Sequence, residues 1–139
     1  MTVFDTDVLT DILRGVPGIV ERAMLIPPEE QAVPIVGAEE ILRGRLNAIR
    51  QAEAGKLRIT ISRAYELMRN SLSDFRNVTI LSYTDRAERL FQKWRAQKIR
   101  IGTRDLRIAA LCGDHEAKLV SRNRRDFDHV PALMVEYWT

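Results

Sequence analysis

The sequence predicts an α/β fold, a layered sandwich built around a mostly parallel sheet. Two observations predict it. Short apolar runs ("TVF", "AVPIV", "VTILSY", "KLV") alternate with longer stretches whose apolar residues recur at helical spacing. There is no internal repeat, low-complexity tract or long linker, and 139 residues suffice for one domain with a core but hardly for two. Residues 1–139 therefore read as a single domain.

In chain order, "TVF" before Asp5 is a short buried strand. "TDVLTDILRG" then spaces Val8, Leu9, Ile12 and Leu13 as a helix does, with Gly15 as its stop. "PGIVERAMLI" is a second short helix, closed by Pro27 and Pro28, and "AVPIV" is the second strand. "GAEEILRGRLNAIRQAEAG" is a longer helix with Ala38, Ile41, Leu42, Ile49 and Ala52 on one face. Leu57, Ile61, Ala64, Tyr65, Met68 and Leu72 follow at nearly heptad spacing. "VTILSY" is the third strand. "DRAERLFQKWRAQ" and "RDLRIAALCGDHE" are helices, "KLV" is a strand, and "PALMVEYW" is a terminal strand.

Hydrophobic residues make up 45% and charged residues 29%, the balance of an ordinary globular protein. No apolar run approaches the ~20 residues that span a bilayer, so no membrane is expected. The N-terminus is acidic, unlike a signal peptide. The single cysteine, Cys112, cannot form an intrachain disulfide, and a cytoplasmic location is the expectation.

Charge is unevenly spread. Residues 1–42 carry two basic against eight acidic residues, a net of −6. Residues 95–125 carry nine basic against three acidic residues, a net of +6. If the two segments meet, an acidic centre gains a basic rim, suited to a polyanion handled through a metal. The plainer account is that these arginines coat solvated helix faces.

In such folds ligands sit beyond the carboxyl ends of the strands, and Asp5 follows the first strand directly. Asp105 heads the stripe of Ile108, Ala109 and Cys112, in a first turn expected to be capped by Thr103. It is either a metal ligand or an acid placed to complement the helix dipole. Glu39 and Glu40 open the third helix after the second strand, and the helical wheel does not choose between them. In "LVSRNRRDFDHVP", Ser121 and Asn123 can hydrogen-bond a water or a carboxylate, Asp126 can add an acid, and Arg122, Arg124 and Arg125 can hold phosphates. An Asn- and Asp-rich turn is the alternative. Carboxylates gathered at strand ends repel one another unless a cation neutralises them, and hard oxygen donors select Mg²⁺ or Mn²⁺. Such an ion polarises a phosphodiester and lowers the pKa of a water.

Two rival readings of "DTDVL" fit poorly. A haloacid-dehalogenase-type phosphatase would have Gly where Val8 stands and needs a further acidic pair, for which "GDHEAK" is a weak stand-in. A receiver domain needs an Asp near mid-chain, where "AGKLR" stands. The whole chain instead resembles a PIN domain, and more narrowly the VapC-type toxins of bacterial toxin–antitoxin pairs. The resemblance rests on "FDTDVLTDILRG", "IVGAEEILRG", "IGTRDLRIAALC" and "LVSRNRRDFDHVPALMVEYW", in that order.

The resemblance implies a PIN-like three-layer sandwich and a divalent-metal endoribonuclease restrained by a cognate antitoxin. Carried over, its acids fall on Asp5, Glu40 (four residues before Gly44) and Asp105, which would hold Mg²⁺ or Mn²⁺. Its variable fourth position falls on Asn123, with Asp126 three places on as a substitute, and its Thr falls on Ser121. Asp7 replaces a common Asn and is expected beside Asp5. A homodimer through the apolar face of 57–72 is also implied, although that face can equally pack the core. The other class left open is an RNA- or protein-binding module with a degenerate metal site, given Asn123 in place of an acid.

Overall fold

The computed structural model describes residues 1–139. Strand β1 (Thr2–Phe4) is central. It is joined by β2 (Gln31–Pro34), β3 (Thr79–Leu81), β4 (Lys118–Ser121) and β5 (Val135–Tyr137) in the order β3–β2–β1–β4–β5. Every pairing is parallel, so the sheet is wholly rather than mostly parallel. Parallel neighbours need long crossovers, and helices supply them. They are α1 (Thr6–Leu13), α2 (Ile19–Met24), α3 (Ile35–Glu53), α4 (Ile61–Asp74), α5 (Asp85–Ala96), α6 (Thr103–Asp114) and the single turn α7 (Arg124–Phe127).

The two-residue period of the strands divides the core. Val3, Ala32 and Leu119 pack with Phe91 and Trp94 of α5 and with Leu106 and Ile108 of α6. Their neighbours Phe4, Val33 and Val120 pack on the opposite face with Val8 and Leu9 of α1, Ile19 and Ala23 of α2, and Trp138. That is a three-layer sandwich. Both faces of the central strands are covered, which is why "TVF" and "LV" read as unbroken apolar runs instead of alternating with polar residues.

The chain leaves β1 toward β2 and β3 on one side, then returns to β4 and β5 on the other. The direction of winding therefore reverses between β1 and β4. A crevice opens there, beyond the strands' carboxyl ends, because successive crossovers lead away from it on both sides. Asp5 directly follows β1 and Ser121 ends β4, so both lie at this reversal.

Several element boundaries differ from the sequence reading. "AVPIV" is not all strand: pairing stops at Pro34, opposite Leu81, and Ile35 begins α3. A short apolar run cannot by itself distinguish a strand from a buried helical turn. The earlier start puts Glu39 and Glu40 in the second turn of α3, beyond the strongest reach of the helix dipole. Thr103 is not the cap of α6 but its first residue; Gly102 precedes it without a side-chain cap, and the Thr103 hydroxyl instead accepts from Arg95 Nη2 at 3.1 Å. α7 stands where only a turn was read. The apolar residues of 57–72 split between two surroundings. Ala64 and Met68 pack with Ile49 and Ala52 of α3, while Ile61, Tyr65 and Leu72 face solvent.

α7 is too short to be stable alone. Phe127, 1% exposed in the α5–α6 core, anchors it. Phe127→Ala is expected to destabilise the protein by about 3–5 kcal/mol, read by urea unfolding; a change below about 1 kcal/mol would mean that α7 is held from elsewhere.

Candidate metal centre

Asp5 is buried, and its position serves two purposes. Its backbone amide donates to Val120 O at 2.9 Å, tying β1 to β4 past the last paired strand residue. Its carboxylate caps α1, with Oδ1 accepting from Thr6 N at 2.8 Å. The other oxygen, Oδ2, accepts from Ser121 Oγ at 2.7 Å. Ser121 is fully buried, and its oxygen in turn accepts from Asn123 N at 3.0 Å, which sets the path of the chain after β4.

Asn123 Oδ1 accepts from Asp126 N at 3.3 Å and caps α7. A cap must present oxygen to the helix N–H, so the amide nitrogen turns the other way. Asn123 Nδ2 then donates to Asp105 Oδ2 at 3.1 Å and to Asp126 Oδ2 at 3.0 Å. Asn123 therefore clamps two acids together and offers them N–H groups, not an oxygen. Of the two sequence candidates for the fourth position, Asp126 is the one with a carboxylate to contribute.

Glu40 and Glu39 differ plainly. Glu40 is half-buried, and its Oε2 accepts from Thr6 Oγ1 at 3.3 Å. Glu39 is exposed and is bound to Arg43 one turn along α3. The structure thus brings Asp5, Glu40, Asp105, Asn123 and Asp126 to one place. Asp7 lies nearby in the first turn of α1 but is exposed and makes no side-chain hydrogen bond.

Two electrostatic consequences follow. Burial pushes the Asp5 carboxyl up from its ordinary range, against the Ser121 and Thr6 hydrogen bonds that hold it down; the charges of Asp7 and Glu40 add to the rise. Asp105 is pushed up to about 6, first by burial and then by the charges of Asp5, Asp126 and Glu40, with the Asn123 bond opposing. No lysine or arginine forms an ion pair with Asp5, Glu40 or Asp105, and Arg125 reaches Asp126 only at 3.8 Å with an exposed side chain. The cluster has an excess of negative charge that its own basic residues leave uncompensated.

All of its donors are carboxylate oxygens, the type that suits a hard divalent cation. No three of the acids converge into a ready-built cage. An ion such as Mg²⁺ does not require one, because it keeps several waters and takes only one or two carboxylates directly. The donor set therefore fits.

The basic rim is narrower than composition suggested. Arg122 is paired with Asp11 at 2.8 Å, Arg124 lies 4.2 Å from the Tyr137 ring centroid, and Lys118 is bound to Glu136. Arg95 donates to the carbonyls of Ile99 and Ile101. These side chains brace loops. Thr6 is the site residue that sequence reading missed, and the only signal was a hydroxyl residue between two acids in "DTD". Asp114, the weak stand-in for a phosphatase acid, caps nothing near Asp5. It is nine residues along α6 from Asp105, about 13 Å at helical rise, where Thr84 and Arg86 hold it.

No protein-family profile matches the chain, and no curated protein matches it. Solved structures do. The chain is similar to the structure of VapBC-1 from nontypeable Haemophilus influenzae at 19% identity, with a TM-score of 0.75 over 99% of this chain and 97% of that one. It is similar to VapBC2 from Rickettsia felis bound to a promoter DNA fragment, at 19% identity and TM-score 0.72 over 99% and 98%. It is also similar to FitAcB from Neisseria gonorrhoeae, at 16% identity and TM-score 0.75 over 97% and 96%. The chain shares the fold of chains in these structures, the PIN-like three-layer sandwich that the sequence resemblance implied.

Asp105 binds its proton more tightly folded than unfolded. Its contribution therefore favours folding at low pH and is lost as pH rises through about 6. Half-exposure screens the effect, so metal-free protein should lose about 1 kcal/mol between roughly pH 4 and pH 7 from this group. Asp105→Asn keeps the acceptor for Asn123 and should remove that loss, measured by urea unfolding in chelator. An unchanged pH profile in the variant would contradict the assignment.

Proposed function

We propose that the chain is a divalent-metal-dependent endoribonuclease and the toxin member of a toxin–antitoxin pair. One observation carries the reading: Asp5, Glu40, Asp105 and Asp126 are held together at the sheet's reversal point, and no lysine or arginine pairs with the first three. The fold shared with toxin–antitoxin chains supports it.

In this reading Asp5, Glu40 and Asp105 hold Mg²⁺ or Mn²⁺, with Asp126 completing the set. The ion would neutralise the acids, polarise a phosphodiester oxygen and acidify a water for in-line attack. Ser121 and Thr6 fix both oxygens of Asp5, so its lone pairs are aimed before substrate arrives. Asn123 keeps Asp105 and Asp126 within reach of one another despite their repulsion. Thr6 links Asp5 to Glu40. Arginines at the rim, the half-buried Arg104 and the exposed Arg125 foremost, hold the RNA backbone.

The similar solved structures are complexes with partner proteins, some on DNA. By analogy a cognate antitoxin is the expected partner here. A groove of about 690 Å³ between α1, α3 and α4 runs up to Thr6 and Glu40 and offers a segment of such a partner access to the acids, where a basic side chain would stand in for the cation. A homodimer through the exposed Ile61, Tyr65 and Leu72 belongs to the same reading.

A second reading has its own support. Asn123 already satisfies Asp105 and Asp126, and no three acids form a cage, as in a binding module whose metal site has decayed.

Three measurements test these statements. Purified protein should cleave RNA with Mg²⁺ or Mn²⁺ and stop in chelator. Asp5→Ala and Asp105→Ala should each lower the rate beyond the ~10–100-fold that loss of an outer supporting residue causes, with RNA affinity little changed; wild-type rates in either variant would defeat the nuclease reading. Calorimetric titration should show specific divalent uptake by the wild type, and its absence would favour the binding module. Sedimentation at micromolar concentration should give a dimer, and a monomer would remove that element of the proposal.

A further inference from the structure

A separate cavity of about 640 Å³ opens between the start of α3 and the start of α6, beside Tyr83. Its position follows from helix geometry. Glu39 lines it while the next residue, Glu40, turns to the acids; Arg104 lines it while the next residue, Asp105, turns to the acids. The cavity is thus one residue out of step with the candidate metal ligands on two helices, and shares a wall with them. A second cavity, of about 610 Å³, shares Arg43 and Arg104 with it and includes Glu40, so the two make one trough leading to the site.

The lining has two characters. Ile35, Val36 and the Tyr83 ring give an apolar and aromatic side, with Ile35 40% exposed although it starts a helix against the core. Arg43, Arg104 and Arg107 give a cationic side against one lining carboxylate, Glu39, which Arg43 engages. Arg104 has no ion-pair partner. Arg107 turns its buried Nε toward Glu88 at 3.8 Å and lies over the Phe91 ring, 4.9 Å from its centroid. The remaining guanidinium edge of this half-exposed side chain and that of Arg104 border the cavity, where an oxyanion could bind them.

Resting on the ribonuclease reading, we propose that this cavity is a nucleotide subsite of the cleavage groove: Ile35, Val36 and Tyr83 receive the base next to the scissile bond, and Arg104 and Arg107 hold its phosphate. The chemistry suits single-stranded RNA. An unpaired base has a face to lay on an aromatic or apolar wall, and a guanidinium can bind a phosphate through two oxygens. A base held in a shaped pocket, not backbone contact alone, is what makes cleavage depend on sequence. The volume lies within the range of small-molecule pockets, enough for one nucleotide.

The test compares wild type with Arg104→Gln/Arg107→Gln, with Ile35→Trp, which fills the pocket, and with Arg89→Gln, which removes one positive charge from the exposed outer face of α5. The substrate is a single-stranded oligoribonucleotide. The double variant and Ile35→Trp should each raise KM about tenfold or more with kcat within about threefold, while Arg89→Gln leaves both near wild type. Adenosine and uridine 5′-monophosphates, added without metal, should shift the amide resonances of Val36, Tyr83 and Thr103 in the wild type but not in the double variant. If RNA is cleaved and neither KM nor those resonances respond to the double variant or to Ile35→Trp, the subsite is wrong. If the wild type cleaves no RNA yet the monophosphates shift those resonances in an Arg104- and Arg107-dependent way, the ribonuclease reading fails and the nucleotide pocket stands.

Discussion

The hydrogen bond from Ser121 Oγ to Asp5 Oδ2, 2.7 Å long and buried, joins the ends of the two strands between which the sheet reverses direction. Much of the site hangs from it. Ser121 cannot donate to Asp5 unless β1 and β4 are in register, and it cannot accept from Asn123 N unless the chain turns at once after β4. That turn sets Asn123 as the cap of α7, and the cap sets the direction of its amide. The amide in turn holds Asp105 of α6 and Asp126 of α7. Residues more than a hundred positions apart are thus ordered by a relay of short polar contacts seated on an apolar core.

The relay works against electrostatics. Gathering Asp5, Glu40, Asp105 and Asp126 where water is partly excluded raises the proton affinity of Asp5 and Asp105, because each charge is both desolvated and surrounded by others of its sign. The fold tolerates this through packing. α6 carries Leu106, Ile108, Ala109, Leu111 and Cys112 in the core, so Asp105 is fixed by its neighbours whatever its own preference. Strain of this kind commonly accompanies a binding site, since a ligand of opposite charge relieves it.

The basic residues are divided between two tasks. Arg22, Arg95, Arg122 and Arg124 brace loops and termini through ion pairs, carbonyl bonds or aromatic contacts. Arg104 has no ion-pair partner, Arg125 reaches only Asp126 at 3.8 Å, and Arg107 lines the adjoining trough while also pairing with Glu88 and lying over Phe91. A net segment charge of +6 therefore overstates the free positive surface, and contacts decide which charges remain available.

The sequence alone determined the fold class and the number and type of most elements. Central parallel strands must be apolar on both faces, and amphipathic helices must repeat near 3.6 residues; both patterns are local and survive in a linear reading. It also placed Asp5 after the first strand and Asp105 on the inward stripe of its helix. What it left undecided depends on distance in space. The wheel could not separate Glu39 from Glu40, because that choice rests on Thr6, thirty-four residues away, and on where α3 begins. Nor could it assign Asn123 and Asp126, since an amide's direction follows from the N–H it caps. α7 was hidden because one helical turn has no period to detect, and Phe127 forms it only by reaching a core assembled from the rest of the chain.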